Sequence, residues 1–158
     1  MRRYARSQKG KRALGAKPSK RGRNVSIIAA ISLQGKVTHV NLLGGTDGLT
    51  LEAFIIRKLV PKLWKGAAVF MDNYSIHKGE EVENAIDGAG ARLIYLPPYS
   101  PDFSPLENCW SKVKQILRSV GARTHKALDS AIEEAFSQIS KQDFHNWFTH
   151  CCYCTSSI

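Results

Sequence analysis

Ala67-Ala68-Val69-Phe70-Met71-Asp72-Asn73 is the stretch on which the fold turns. Its unbroken apolar run is too short for a helix and stops at two polar residues, so it reads as a short buried strand ending at Asp72. Downstream, Val82, Ala85, Ile86 and Ala89 mark a helix closed by Gly90, and Arg92-Leu93-Ile94-Tyr95-Leu96 reads as another strand. Upstream, Leu51, Phe54, Ile55, Lys58 and Leu59 fit an amphipathic helix over 49–64 that Pro61 kinks or ends. Before it, Gly44-Gly45-Thr46-Asp47-Gly48 is a loop. The segments 25–33 and 36–43 form a hairpin about a tight turn at Gln34-Gly35. Beyond the strands comes a stiff Pro97-Pro98-Tyr99-Ser100-Pro101 loop. A helix opened by Ser104-Pro105 carries Leu106, Trp110, Val113, Leu117 and Val120. A second helix from Thr124 aligns Leu128, Ala131, Ile132, Ala135 and Ile139, and an aromatic segment from Phe144 to Phe148 completes the chain. Strands alternating with helices after an antiparallel pair predict α/β layering around a mixed sheet. In such sheets functional groups gather at the carboxyl ends of strands, where Asp72 stands.

The chain has 158 residues, 43% hydrophobic and 23% charged, enough for one domain with a real core. No apolar run approaches the ~18 residues needed to span a bilayer, and the N-terminus lacks the apolar centre of a secretory signal. Its Arg-rich, acid-free start superficially suits an organellar transit peptide, but Gly10, Gly15 and Pro18 interrupt any amphipathic helix there. The net charge of +10 lies entirely in residues 1–24, which hold ten Lys or Arg and no acidic residue. Such an arm is drawn to phosphate backbones, with Arg2, Arg3, Arg6, Lys9, Lys11, Arg12, Lys20, Arg21 and Arg23 as the candidate DNA contacts. Cys151, Cys152 and Cys154 crowd the end beside His150, but the second ligand pair usual in a structural zinc site is missing. The reading is a reduced tail of a cytoplasmic, nucleoid-associated protein. The expected organisation is a basic arm over 1–24, a core over 25–150 and a tail over 151–158.

Two carboxylates stand out. Asp72 has an ordinary reading as an Asx turn at a strand exit. Glu107 has one as the third helical residue of a capping box begun by Ser104 and Pro105. Taken together, one ends a strand and the other opens a helix at the same mouth of the inferred sheet. Convergent carboxylates bind hard divalent cations through oxygen and leave room for substrate phosphate oxygens.

Met71-Asp72-Asn73-Tyr74-Ser75-Ile76-His77-Lys78 resembles the second catalytic block of mariner-type DDE transposases, in particular their bacterial insertion-sequence branch. The run from Leu96 to Asn108, LPPYSPDFSPLEN, resembles the third block, and the 34 residues between Asp72 and Glu107 match the family spacing. Arg2-Arg3-Tyr4-Ala5-Arg6-Ser7 and Trp147-Phe148-Thr149-His150-Cys151 are also similar to family segments, so the likeness spans essentially the whole chain. It implies a ribonuclease-H-like fold and metal-dependent DNA cleavage and strand transfer. Three carboxylates would hold two magnesium or manganese ions that activate the attacking hydroxyl and stabilise the leaving oxygen. By matching position, Asp72 would bridge both ions and Glu107 ligate one, with Asn73 and His77 supporting the motif.

The chain departs from the family at its start. The first catalytic Asp, on a central strand, and the helix-turn-helix region before it belong upstream of the Arg-Arg-Tyr segment, where this sequence opens. The expectation is therefore a sheet lacking its first, central strand. An upstream transposase chain would supply that strand, the Asp and the helix-turn-helix, and the assembly could be a homodimer on transposon ends and target DNA. Asp47 is a poor substitute ligand, because it lies beyond the hairpin. Two other readings are a DNA-binding remnant without catalysis, and an unrelated basic nucleic-acid-binding module whose carboxylates only cap structure.

Overall fold

The computed structural model describes residues 6–12, 24–73 and 79–154. The hairpin forms as β1 (Val25–Ser32) and β2 (Gly35–Leu43), antiparallel, with Val25 opposite Leu43 and Ser32 opposite Gly35. The tight turn is Leu33-Gln34, one residue earlier than expected. Gly35 takes φ 133° and already pairs with Ser32, while the Gln34 amide donates to Ser32 Oγ at 3.2 Å. Ala30 faces Thr38 but Ile31 faces Lys36, so β2 carries one extra residue, Val37, as a bulge.

β1 is apolar on both faces because both are covered. Ile28 and Ala30 pack on a core of Leu51, Phe54, Ile55, Leu59, Ala67, Val82, Ile86 and Ala91. Val25, Ile27, Ala29 and Ile31 pack on the other, built from Cys109, Val113, Ile132, Ala135, Phe136, Ile139 and Phe144. Period-2 alternation thus splits one strand between two cores, giving three layers. Burying Ile86 and Ile132 completely is worth about 1.5–3 kcal/mol each.

The first core is closed by α1 (Gly48–Phe54), which runs on through a π-helical turn, Ile55–Leu59, and a 3-10 turn, Val60–Lys62. Pro61 has no N–H, and its ring opposes a regular helix at the carbonyl four residues back, so the last turns change pitch before the chain leaves. Next come β3 (Ala68–Met71), α2 (Glu80–Gly88) and β4 (Arg92–Tyr95). α2 opens with Glu80, Glu81 and Glu83, suited to the positive end of a helix. After it Gly90, at φ 73°, turns the chain where a Cβ would meet Lys65 Cγ at 3.2 Å. β3 and β4 pair in parallel from Ala68 opposite Arg92 to Met71 opposite Tyr95, and the Leu96 amide donates to the Met71 carbonyl at 2.7 Å.

The second core is closed by α3 (Pro105–Val120), α4 (His125–Ser137) and α5 (Lys141–His150). Among the described residues the strands form two separate two-stranded sheets, β1–β2 and β3–β4. Val69 and Met71 of β3 line the same core as Ile28 and Ala30 of β1, so both sheets lie against the α1–α2 layer. Every residue of β1 is only half-buried although layers cover both faces, as expected of a strand with one edge open. Among the described residues no helix is long and apolar enough to cross a membrane.

Candidate active site

Asp72 leaves the carboxyl end of β3 and is exposed. Asn73, next to it, is half-buried, and its Oδ1 is buried without a hydrogen-bond partner among the described residues. His77 lies outside the described residues, as do Arg2, Arg3, Lys20, Arg21 and Arg23. Of the basic arm, Arg6, Lys9, Lys11 and Arg12 are described, and all are exposed.

Glu107 is exposed in the first turn of α3, where the helix's unsatisfied N–H groups favour negative charge. The capping box expected at Ser104 does not form. Ser104 is the N-cap residue and Pro105 opens the helix, yet the Ser104 side chain makes no capping hydrogen bond. The Glu107 amide instead takes the Ser104 backbone carbonyl at 3.1 Å. With Pro at the first helical position one orphan N–H is already absent, so less is left for a side chain to satisfy. The Glu107 carboxylate is accordingly not engaged in the cap.

Asp47 is a capping residue of α1. Its Oδ1 accepts the Thr50 amide at 2.9 Å, and hydrogen bonds from Thr50 hold its carboxyl below the usual range. Among the described residues no three His, Cys, Asp or Glu side chains are arranged to hold a metal ion. Asp72 at the end of β3 and Glu107 in the first turn of α3 are each exposed carboxylates, oxygen donors of the kind a hard cation takes.

The end of the chain, whose cysteines the sequence suggests are a reduced tail, packs against this region. α5 finishes in a Schellman turn: the Tyr153 amide donates to the Phe148 carbonyl at 2.9 Å and the Cys152 amide to the Thr149 carbonyl at 3.0 Å. Cys152 takes the left-handed position at φ 63°. Cys151 is buried, and that burial, followed by the charges of Cys152 and Asp102, pushes its thiol pKa up. Tyr153 packs against Phe70 with ring centroids 4.6 Å apart and the rings tilted by 54°, and its hydroxyl donates to the Phe103 carbonyl at 2.7 Å. Phe70 precedes Asp72 on β3, and Phe103 ends the turn that leads into α3. A second tie joins α3 to α5, where Lys112 Nζ donates to Asp143 Oδ2 at 2.6 Å.

The family model of the DDE superfamily endonuclease matches residues 1–130. No match is found among the curated proteins. Among solved structures the chain is similar to the Mos1 strand transfer complex, at 15% identity and TM-score 0.76, covering 96% of this chain and 47% of that one. It is likewise similar to the Mos1 mariner paired-end complex with Mn, at 13% identity and TM-score 0.75, covering 96% and 48%. The catalytic domain of the Mos1 mariner transposase matches at 14% identity and TM-score 0.68, covering 79% of this chain and 67% of that domain. The chain spans about half the length of the first of these structures. At such identities the likeness is one of fold, the ribonuclease-H-like α/β fold of a transposase catalytic domain. With the family model matched over residues 1–130, the chain belongs to the DDE superfamily of endonucleases.

Proposed function

We propose that this chain is the catalytic-core part of a mariner-type bacterial insertion-sequence transposase, acting in metal-dependent DNA cleavage and strand transfer. The observation that carries the reading is the placement of Asp72 at the carboxyl end of β3 and of Glu107 in the first turn of α3, with its carboxylate left out of the cap. These two residues would hold a pair of magnesium or manganese ions. Such ions supply Lewis-acid activation of the attacking oxygen and stabilisation of the leaving one. Asn73 and His77 would orient Asp72 or position the scissile phosphate. The basic arm would follow the DNA backbone, and the solved Mos1 complex with a left transposon end supports transposon DNA as the partner class.

The third carboxylate is assigned to an Asp on an extended segment pairing with the open edges of β1 and β3. Support comes from β1, which is apolar on both faces and covered on both, the pattern of a central strand, yet pairs only with β2 among the described residues. An upstream part of a longer protein, or a separate upstream transposase chain, would bring that strand together with a helix-turn-helix region. A homodimer holding two transposon ends, in the bacterial cytoplasm at the nucleoid, completes the proposal.

The second reading, a basic DNA-binding remnant without catalysis, is favoured by one observation: no third ligand accompanies the acidic pair among the described residues. Nicking of DNA carrying the element's own ends separates the two. Residues 1–158 with magnesium or manganese should not nick, since removing a single electrostatic stabiliser costs about 10²–10³ in rate. Fusion of a family-like strand with its Asp ahead of Met1 should restore nicking, and Asp72→Asn should abolish it again. A fused protein that binds DNA but never nicks leaves the remnant reading.

A further inference from the structure

We infer that Tyr153 is a positioning residue for the acidic pair, coupling the strand that carries Asp72 to the loop that leads into Glu107. The inference rests on the site assigned above. Asp72 and Glu107 come from segments far apart in sequence, and among the described residues no backbone ladder joins β3 to the 97–104 loop beyond the Leu96–Met71 bond. A metal site needs its ligands held to a fraction of an ångström by supporting contacts. Tyr153 provides one to each side. Its ring lies on Phe70, two residues before Asp72, and its hydroxyl holds the Phe103 carbonyl, four residues before Glu107.

The geometry that aims Tyr153 is local to α5. The Schellman turn places Cys152 in the left-handed region and returns Tyr153 over Phe148, ring centroids 6.1 Å apart, so the ring projects back toward β3. Phe70 sits on the less covered face of β3, 41% exposed even with Tyr153 against it. The hydroxyl bond is an addition to that packing, so removing it alone separates positioning from folding.

Tyr153→Phe keeps the ring and deletes the bond to Phe103. The probe is Mn²⁺ alone, titrated into the full chain, with free Mn²⁺ followed by electron paramagnetic resonance beside a thermal melt. The expected result is Mn²⁺ affinity weakened about three- to tenfold, the worth of one hydrogen bond, with the melt lowered by no more than about 5 °C. In a Glu107→Gln background the same change should have no further effect, because Tyr153 acts through the loop that places Glu107. If Tyr153→Phe lowers the melt and leaves Mn²⁺ affinity intact, or its effect simply adds to that of Glu107→Gln, the positioning role is overturned while the site stands. If Asp72→Asn and Glu107→Gln themselves leave Mn²⁺ binding unchanged, the site assignment falls and the positioning role falls with it.

Discussion

One carboxylate oxygen ties the helix of Glu107 to α5, the helix that leads into Tyr153. Asp143 Oδ2 accepts Lys112 Nζ at 2.6 Å, the Ser140 amide at 2.8 Å and Ser140 Oγ at 2.7 Å. Asp143→Ala removes the reciprocal cap of α5, worth about 1 kcal/mol. It also removes an ion pair whose partners are 35% and 27% exposed, worth about 0.5 kcal/mol after solvent screening. The total of about 1.5 kcal/mol corresponds to roughly 3–6 °C in Tm for a chain of this size. Lys112→Met should reproduce only the smaller part. The pH dependence has a definite sign. Lys112 first, then the Ser140 hydroxyl, holds the Asp143 carboxyl down at about 2, from an ordinary 3.8. A carboxyl depressed in the folded state contributes fully above its ordinary value, and the contribution drains away as pH falls toward the folded value. Wild type should therefore lose stability between about pH 4 and pH 2 by an increment that Asp143→Asn lacks. The assay is a set of circular-dichroism melts of wild type, both Asp143 variants and Lys112→Met across that range. Asp143→Ala melting within about 1 °C of wild type, with parallel acid profiles for wild type and Asp143→Asn, would mean that this carboxylate ties nothing together.

Ile132→Ala should destabilise the second core by about 2–5 kcal/mol in urea unfolding, since the side chain is fully buried and its cavity cannot collapse freely. Cys152→Gly should leave Tm unchanged or slightly raised, because glycine accepts the left-handed turn, while Cys152→Val should lower it. His39, packed on Phe136, is held below its ordinary 6.5 by burial first, then by Lys36 and more weakly Lys62, against Glu133. Its contribution is complete above 6.5 and lost as pH falls toward the folded value, so stability should decline in mild acid in wild type and less in His39→Gln. Deleting residues 1–24 should abolish most non-specific DNA binding. It should also flatten the salt dependence by about 0.9 in log–log slope for each phosphate the arm had neutralised, measured by anisotropy titration at several salt concentrations.

The elements legible in the sequence are those whose cause is local. The run ending at Met71 is a strand because its residues are apolar and Asp72-Asn73 stops it. α4 begins at its Thr124 cap, whose side chain accepts the Ala127 amide at 3.2 Å. What could not be read depends on competition or on distance. Ser104, Pro105 and Glu107 spell a capping box, but with Pro opening the helix the backbone carbonyl of Ser104 serves the Glu107 amide. The hairpin turn sits one residue early because Gly35 closes the ladder instead of leading the turn. The π-helical turn before Pro61 reflects a helix accommodating both the proline and the first core. For the candidate site, Asp72 and Glu107 stood out through motif and spacing. Tyr153 did not, because a tyrosine among cysteines acquires its meaning only when the Schellman turn lays it on Phe70.

The sharing of β1 between the two cores has a consequence for how the chain folds. Three pieces can close within short runs of sequence: the β1–β2 hairpin, the β3–α2–β4 crossover and the α3–α5 helices. A hairpin forms in about 1–10 μs, and helices faster, so these pieces precede the contacts between them. Neither core is complete until the hairpin docks, however, since Ile28 and Ala30 finish one and Ile27, Ala29 and Ile31 finish the other. β1 is then the joint on which cooperativity depends. Those of its amides that are bonded to β2 should exchange with solvent hydrogen only through the opening of the whole domain, while the ends of α4 exchange by local fraying.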